Sequence, residues 1–195
     1  GTDLIVGARS GATQLLLYSV FRIGNATNNI SWESYEHISK MRRVAWAVPI
    51  SLGDSHRGFR VVGTTRAYFD RYRYADKQSL AFRAGVPFDG ILDAVLGAEV
   101  AKALDYQLGQ SIVLAHGVGD VNLVQHDDQP FKVVGILAPT GTPVDRSVHV
   151  SLQGIEAIHV GWEGGRPQPG LAALEALTGE EGFEEYPLDD VQEEN

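Results

Sequence analysis

Histidine and carboxylate side chains that could hold a metal ion occur together at one place in the sequence. His116 is followed ten residues later by His126-Asp127-Asp128. A zinc site needs imidazole nitrogens and carboxylate oxygens that converge within ~2.2 Å of one ion, and a hairpin could bring the two positions together. Both positions flank predicted turns, where exposed polar residues are expected anyway. We therefore predict no metal site and no cofactor.

The other histidines do not form a cluster in the sequence. His149 alternates with Val148 and Val150, which predicts that its side chain points away from the covered face of a sheet. His37, His56 and His159 are predicted on helix surfaces or in loops. None of these positions suggests a chemical role.

Nucleophilic and phosphate-binding motifs are incomplete. Gly7-Ala-Arg-Ser-Gly11 lacks the Lys-Ser/Thr pair of a phosphate-binding loop. Ser10, Ser19 and Ser151 lie in no Gly-x-Ser-x-Gly motif, and no acid–histidine pair is evident near them. We therefore predict that the chain is not an enzyme and has no catalytic residues.

Basic and aromatic residues alternate in one segment, between Arg66 and Tyr74. Arginine combined with aromatic residues can contact a protein partner or stack on bases. The first interpretation is a helix with Phe69 in the core and the arginines in solvent. The second is a partner surface, and nucleic-acid binding is a distant third. The candidate surface residues are Arg66, Tyr68, Arg71, Tyr72, Arg73 and Tyr74.

The elements that would position these residues are short. Ser31 is a good N-cap for a helix that begins at Trp32, and residues 14–23 could form a strand or a helix. Two predicted strands, 44–52 and 59–65, suggest an antiparallel hairpin around a turn-rich loop. Further strands are predicted at 110–115, 121–125, 131–137 and 147–150, a loop at 81–88, and helices from Arg66, at 98–104 and at 152–159.

Between Asp93 and Leu152 the sequence contains an ordered series of signatures. The series starts with Asp93–Leu104, interpreted as a short helix, and continues with a strand-forming segment, Leu108–Leu114. It ends with the strand Phe131–Leu137 and the segment Pro139–Leu152, which includes a Pro/Gly-rich hinge and another strand. None of these segments carries a nucleophile, a metal cluster or a phosphate-binding motif, so the series is typical of a structural module.

These signatures resemble the periplasmic core domain of MacB/FtsX-type ABC transporter permeases. The correspondence rests on Val95-Leu96-Gly97 with Ala101 and Leu104, on Gly109 with Ile112 and Leu114, and on Phe131–Leu137. Two further segments agree with the family. They are Val61-Val62-Gly63 with Tyr68-Phe69 and the opening Asp3–Ala8. The resemblance covers residues 3–159.

The resemblance implies an α+β fold, in which a porter-like α/β subdomain is interrupted by a small β-rich subdomain. On this basis we expect the porter-like subdomain at 1–75 and 139–160 and the inserted subdomain at 76–138. Residues 161–195 would form a linker, a short helix at 171–177 and an acidic tail. No stretch of the chain approaches the ~18 apolar residues that a membrane helix requires. The resemblance implies that anchoring membrane helices lie beyond both ends.

The resemblance also implies a function. The chain would be the periplasmic part of an inner-membrane ABC transporter permease, would perform no catalysis, and would couple ATP-driven helix movement to substrate export or lipoprotein release. The implied partners are a cytoplasmic ATPase, a second permease copy and a periplasmic adaptor or lipoprotein. The alternative is a stand-alone periplasmic module that binds a ligand or peptide between the two subdomains.

Composition argues against nucleic-acid binding. Nine of the 25 acidic residues lie after Arg166, and without them the 16 remaining acids balance the 16 Lys and Arg residues. A nucleic-acid platform would carry a strong basic excess. The chain has no cysteine, so disulfides and thiolate chemistry are absent from it.

The segment from Ala138 to Val144 is the candidate hinge. Pro139 and Pro143 restrict their own φ angles and the residues before them, and Gly141 between them can adopt conformations closed to other residues. We predict a stiff, extended connection between the two subdomains, pivoting at Gly141. Asp145 and Arg146 could pin the strand that follows through a charge-assisted hydrogen bond.

Overall fold

The computed structural model describes residues 4–9, 11–24, 28–116 and 129–159, together with the backbone of 162–163 and 166–167. Contacts divide the chain into two units, residues 1–158 and 159–195. The described helices are α1 (Ala12–Ser19), α2 (Trp32–Ser39), α3 (Ala67–Arg71), α4 (Ala98–Ala103), a 3-10 helix (Pro143–Arg146) and α5 (Leu152–His159). Among the described residues, no helix has the length and apolar content needed to cross a bilayer.

The described strands of the first unit are mostly short. They are β1 (Ile50–Ser51), β2 (Asp54–His56), β3 (Phe59–Thr64), β4 (Arg73–Tyr74), β5 (Gln78–Ser79), β6 (Phe82–Gly85), β7 (Asp93–Leu96), β8 (Ser111–Ile112), β9 (Ala115–His116), β10 (Phe131–Leu137) and β11 (Ser147–Ser151). The second unit contains a two-stranded pair, β12 (Trp162–Glu163) and β13 (Arg166–Pro167).

One mixed sheet organises the first unit. Its order is β6-β10-β7-β11-β3-β2-β9, and β1 and β8 pair at the sides of β3 and β10. The β7–β10 and β3–β11 pairs are parallel, whereas β7 and β11 run antiparallel at the centre. Parallel pairs need long crossover connections, and here these connections carry the helices. The predicted α+β class is therefore confirmed.

Both faces of the central strands are buried. In β7, Ala94 and Leu96 belong to one apolar cluster, and Val95, which lies between them, belongs to the other. The first cluster includes Val148 and Val150 of β11 together with residues of α4. The second includes Tyr68 and Phe69 of α3. Strands buried on both sides carry apolar residues at successive positions, as Val61-Val62 and Ala94–Leu96 do here.

Several local predictions are confirmed. Ser31 caps α2, because its Oγ accepts a hydrogen bond from the Ser34 amide at 3.2 Å. β10 has the predicted bounds, β11 and α5 form at the predicted positions, and residues 12–19 form a helix. The predicted hairpin also exists, since Ile50 pairs with Thr64.

Other local predictions are wrong. Residues 93–96 form strand β7 and not the start of a helix, since β10 and β11 flank them. The strand predicted at 44–52 is reduced to β1, and the predicted loops at 53–58 and 81–88 contain β2 and β6. The predicted strand at 121–125 and helix at 171–177 lie outside the described residues.

The division into two subdomains stays a prediction. Strands from 76–138 (β6, β7 and β10) share one sheet with β3 and β11 from the outer segments, and residues 1–158 form a single compact unit.

Gly97 brings two backbone segments into close contact near the centre of the sheet. It is the N-cap of α4, and its amide donates to the Ser147 carbonyl at 2.9 Å. A Cβ atom placed on Gly97 would lie 2.3 Å from the Val144 carbonyl oxygen and 2.4 Å from that of Asp145. The glycine of the Val95-Leu96-Gly97 motif is therefore required because only hydrogen fits there.

We expect Gly97→Ala to lower the free energy of unfolding by roughly 2–4 kcal/mol, since two backbone segments would have to separate. Gly53→Ala is the matched control, because nothing lies within 4 Å of its Cβ position, and it should change stability by less than about 1 kcal/mol. Urea unfolding of both variants measures the difference, and equal stabilities would show that the Gly97 contact yields at little cost.

Candidate functional site

The candidate partner surface is partly buried in the structure. Tyr68 is 1% exposed and packs in the second apolar cluster with Phe69, so its assignment to a surface is wrong. A basic–aromatic pattern does not reveal which aromatic residue faces the sheet. Phe69 is 4% exposed, in agreement with the interpretation that placed it in the core.

The remaining candidates lie at the surface or close to it. Arg66 and Arg71 are exposed, and Tyr72, Arg73 and Tyr74 are half-buried. Arg66 forms an ion pair with Asp89 at 3.2 Å, and Arg73 donates to the carbonyls of Asp70 and Tyr72. An exposed ion pair of this kind adds little stability. The surface role of these five residues stays a prediction.

The predicted hinge is a loop clamped by one carboxylate. Asp145 accepts hydrogen bonds from the Thr140 amide at 2.8 and 3.0 Å, from the Thr140 hydroxyl at 2.8 Å and from the Gly141 amide at 2.7 Å. Such bonds to a charged acceptor are stronger than neutral ones. The carboxylate therefore restrains the loop that precedes the strand, whereas we had expected it to hold the start of the strand.

The three predicted hinge residues differ in their surroundings. Pro139 and Gly141 are exposed, and Pro143 is half-buried at the first position of the 3-10 helix. Gly141 has φ +70°, a left-handed conformation that favours glycine. Thr142 caps the 3-10 helix through its hydroxyl, which accepts from the Val144 amide. The loop thus has a defined conformation, and its role as a hinge stays a prediction.

A surface cavity of about 590 Å³ lies beside this loop. It is lined by residues 21–23, 58–60, 141–143 and 145–146 and by Glu99. Its charges are engaged by the protein itself. Arg146 pairs with Glu99, Asp145 binds the loop, and Arg60 donates to the Gly24 carbonyl at 2.6 Å. Most of the lining charges are therefore committed within the protein and are not free to orient a small ligand.

A buried polar cluster connects the end of α1 to the second apolar cluster. Arg22 Nη2 donates to the Tyr68 hydroxyl at 3.4 Å, and the Tyr68 ring centroid lies 5.2 Å from that of His149. His149 is 0% exposed, so the prediction that it points off the covered face is wrong. It does lie on the face opposite Val148 and Val150, but α3 covers that face too.

The electrostatic surroundings keep this cluster in one protonation state. Burial, together with the nearby Arg22 guanidinium, lowers the pKa of His149 to about 3. Burial also raises the pKa of Tyr68 well above its usual value. His149 Nδ1 lies 3.3 Å from the Val95 carbonyl oxygen. A carbonyl only accepts, so Nδ1 carries the proton of the neutral ring.

His56 is likewise a core residue, and its placement on a surface loop is wrong. It lies on β2 and is 4% exposed. Its Nδ1 is 2.6 Å from the Val113 carbonyl oxygen and its Nε2 is 2.9 Å from the Tyr106 hydroxyl. Burial lowers the pKa of His56. The neutral ring thus joins β2 to the segment before β9.

The candidate metal ligands fall outside the described part of the chain. This applies to the side chain of His116 and to residues 126–128. In the described ranges, no group of three or more His, Asp or Glu side chains could hold an ion. The sequence had not pointed to Arg22, to the clamp that Asp145 forms or to the burial of His149. Only Asp145, which follows a Thr-Gly-Thr-Pro turn, carried a local signal.

Because His149 is buried and neutral, we expect the free energy of unfolding to fall in acid. Unfolded His149 binds a proton below its usual pKa near 6.5, but folded His149 stays neutral down to about pH 3. Between these values the unfolded state holds more protons. The free energy of unfolding should therefore fall by about 1.4 kcal/mol for each unit that the pH drops, through this residue alone.

The free energy of unfolding, measured from pH 7 to pH 4, should depend less steeply on pH in His149→Phe. His37→Phe, at an exposed site, should retain the original slope, and identical slopes for both variants would contradict the prediction.

Comparison with known proteins identifies the family. The family model for the MacB-like periplasmic core domain matches residues 3–173. No curated protein matches the chain. The chain is similar to a solved structure described as the extracellular domain of the noncanonic ABC-type transporter YknZ from Gram-positive bacteria, with 14% identity and a TM-score of 0.43. That similarity covers 66% of this chain and 65% of the YknZ domain, so the chain spans less than two thirds of that domain. Because the family model covers most of its length, the chain belongs to the family of MacB-like periplasmic core domains.

Proposed function

We propose that this chain is the extracytoplasmic domain of an ABC transporter permease and that it transmits movement without performing chemistry. The observation that carries the proposal is the family match over residues 3–173. The intact permease would bind a cytoplasmic ATPase and pair with a second permease copy, and it would act on a periplasmic adaptor or lipoprotein. Membrane helices outside this sequence would place it in the inner membrane, with this domain in the periplasm.

The packing of the first unit is suited to transmitting displacement. One sheet runs through it from β6 to β9, and its central strands are packed on both faces. Close-packed interiors are nearly incompressible and transmit strain. A displacement applied at one edge of such a sheet reaches the other edge with little loss.

The clamped loop at 139–143 supports the same role. It follows β10 and leads into β11, so it connects two strands on opposite sides of β7. The four hydrogen bonds to Asp145 remove slack from this connection. We propose that Pro139, Gly141 and Pro143 form a stiff crossing that carries movement across the sheet.

The exposed side of α3 is proposed as a contact surface for a periplasmic partner. Arg66 and Arg71 are exposed at its two ends, and the half-buried Tyr72, Arg73 and Tyr74 follow it in the chain. Arginine and tyrosine are enriched at protein interfaces. The stand-alone binding module is less well supported, since most charged side chains that line the described cavity are engaged within the protein.

Cysteine labelling tests the proposed location. The chain has no cysteine, so Ser79→Cys would add one thiol on exposed β5. In intact cells or spheroplasts that produce the full-length permease, a membrane-impermeant maleimide should label this variant above the parent background. Val61→Cys, at a position 1% exposed, is the buried control. Labelling of Ser79→Cys only after cell lysis would place the domain in the cytoplasm and sink the proposal.

Loosening the crossing should uncouple the transporter. We expect Asp145→Ala, or Pro139→Gly combined with Pro143→Gly, to leave the isolated domain folded but to reduce export by the assembled transporter. ATP hydrolysis should continue, because the ATPase lies on the other side of the membrane. The matched control is Asp76→Ala, at an exposed position. Unchanged export by both crossing variants, at normal expression, would show that the segment is a tolerant loop.

A further inference from the structure

Two buried polar atoms next to Tyr68 have no hydrogen-bond partner among the described residues. They are Arg22 Nε and His149 Nε2. Arg22 contacts the Tyr68 hydroxyl, and His149 lies against the Tyr68 ring. Buried polar groups are almost always hydrogen-bonded, to protein or to ordered water. Two such exceptions around one side chain require a common explanation.

The two atoms have complementary roles. Arg22 Nε carries a hydrogen and can only donate. His149 Nδ1 faces the Val95 carbonyl and must carry the ring proton, which leaves Nε2 as an acceptor with a free lone pair. The missing group must therefore accept one hydrogen bond and donate another.

We propose that one buried water molecule bridges Arg22 Nε and His149 Nε2 and that this bridge locks the segment after α1 onto the sheet. An anion could accept from Arg22 but could not donate to His149. A metal ion could bind His149 Nε2 but would be repelled by the guanidinium. Water fulfils both roles, and the Tyr68 hydroxyl supplies the further polar partner that internal waters usually have.

The segment after α1 needs such a lock because apolar burial does not hold it. None of the residues of α1 is buried, and Val20, Phe21 and Ile23 are 38–59% exposed. Arg22 itself has φ +62°, a conformation that costs a non-glycine residue energy and persists where its surroundings impose it. The observed attachments are polar. Tyr18 donates to the Leu52 carbonyl, Arg60 donates to Gly24, and Arg22 reaches Tyr68.

A crystal structure of the 195-residue chain tests the water directly. We expect an ordered water within about 2.7–3.2 Å of both nitrogens. Data that show other internal waters but none between Arg22 and His149 would overturn the bridge. This measurement uses the unaltered protein, so it does not depend on whether any variant folds. The inference goes beyond the proposed function and stands or falls without it.

A double-mutant cycle tests whether the two residues act together. Arg22→Met keeps the length of the side chain and removes its donors, and His149→Phe keeps a ring and removes the acceptor. If one water joins them, the fall in Tm of the double variant should be smaller than the sum of the two single falls. Arg71→Met with His37→Phe, both at exposed positions, should give additive effects. Additive falls for the first pair would refute the bridge.

Hydrogen exchange tests the lock. The Val20 and Ile23 amides donate to the Leu16 and Leu17 carbonyls, so their exchange reports the opening of this segment. In Arg22→Met we expect exchange at both amides to accelerate about five- to tenfold, as for the loss of one net hydrogen bond, while β3 and β11 exchange as before. Equal acceleration throughout the sheet, or none at Val20 and Ile23, would overturn the lock.

Discussion

The close approach of Gly97 to the 3-10 helix is the constraint on which the arrangement of this domain depends. At this point β7 ends and α4 begins, and the Gly97 amide donates to Ser147, where β11 starts. Two segments distant in sequence, the β7–α4 junction and the junction of the 3-10 helix with β11, thus meet at backbone distance. Any side chain on residue 97 would push these segments apart. It would also displace the clamped loop that precedes β11.

Sequence alone predicted the elements whose signals are local. The largely apolar segment Phe131–Leu137 predicted β10, and a capping serine predicted α2. The α2 prediction succeeded because the capping bond lies within three residues, and the β10 prediction because a strand buried on both faces is apolar along most of its length. The family signature also predicted the α+β class. Strand β6 was missed because it owes its conformation to pairing with β10, which lies far along the chain. Strand β2 was missed although its partner β3 follows after the two-residue turn Arg57-Gly58.

At the candidate site, too, local patterns did not predict which side chains are buried. Alternation with Val148 and Val150 correctly separated His149 from them, but it could not show that α3 covers the opposite face. Basic–aromatic spacing marked residues 66–74 without distinguishing the buried Tyr68 from its exposed neighbours. In each case the local pattern was recognised correctly, but the burial of the side chain is determined by an element far away in sequence.

The parallel pairing of β3 with β11 has a consequence for how the domain forms. Val61 pairs with Val148 and Arg60 with Ser147, so some 87 residues separate partners at the centre of the sheet. Closing so long a loop is entropically costly and slow compared with forming a hairpin. While the chain is being made or translocated, β3 must wait with its apolar face uncovered until almost the whole first unit has emerged. The apolar residues Val61 and Val62 of this strand are then exposed to aggregation, and a chaperone could protect them.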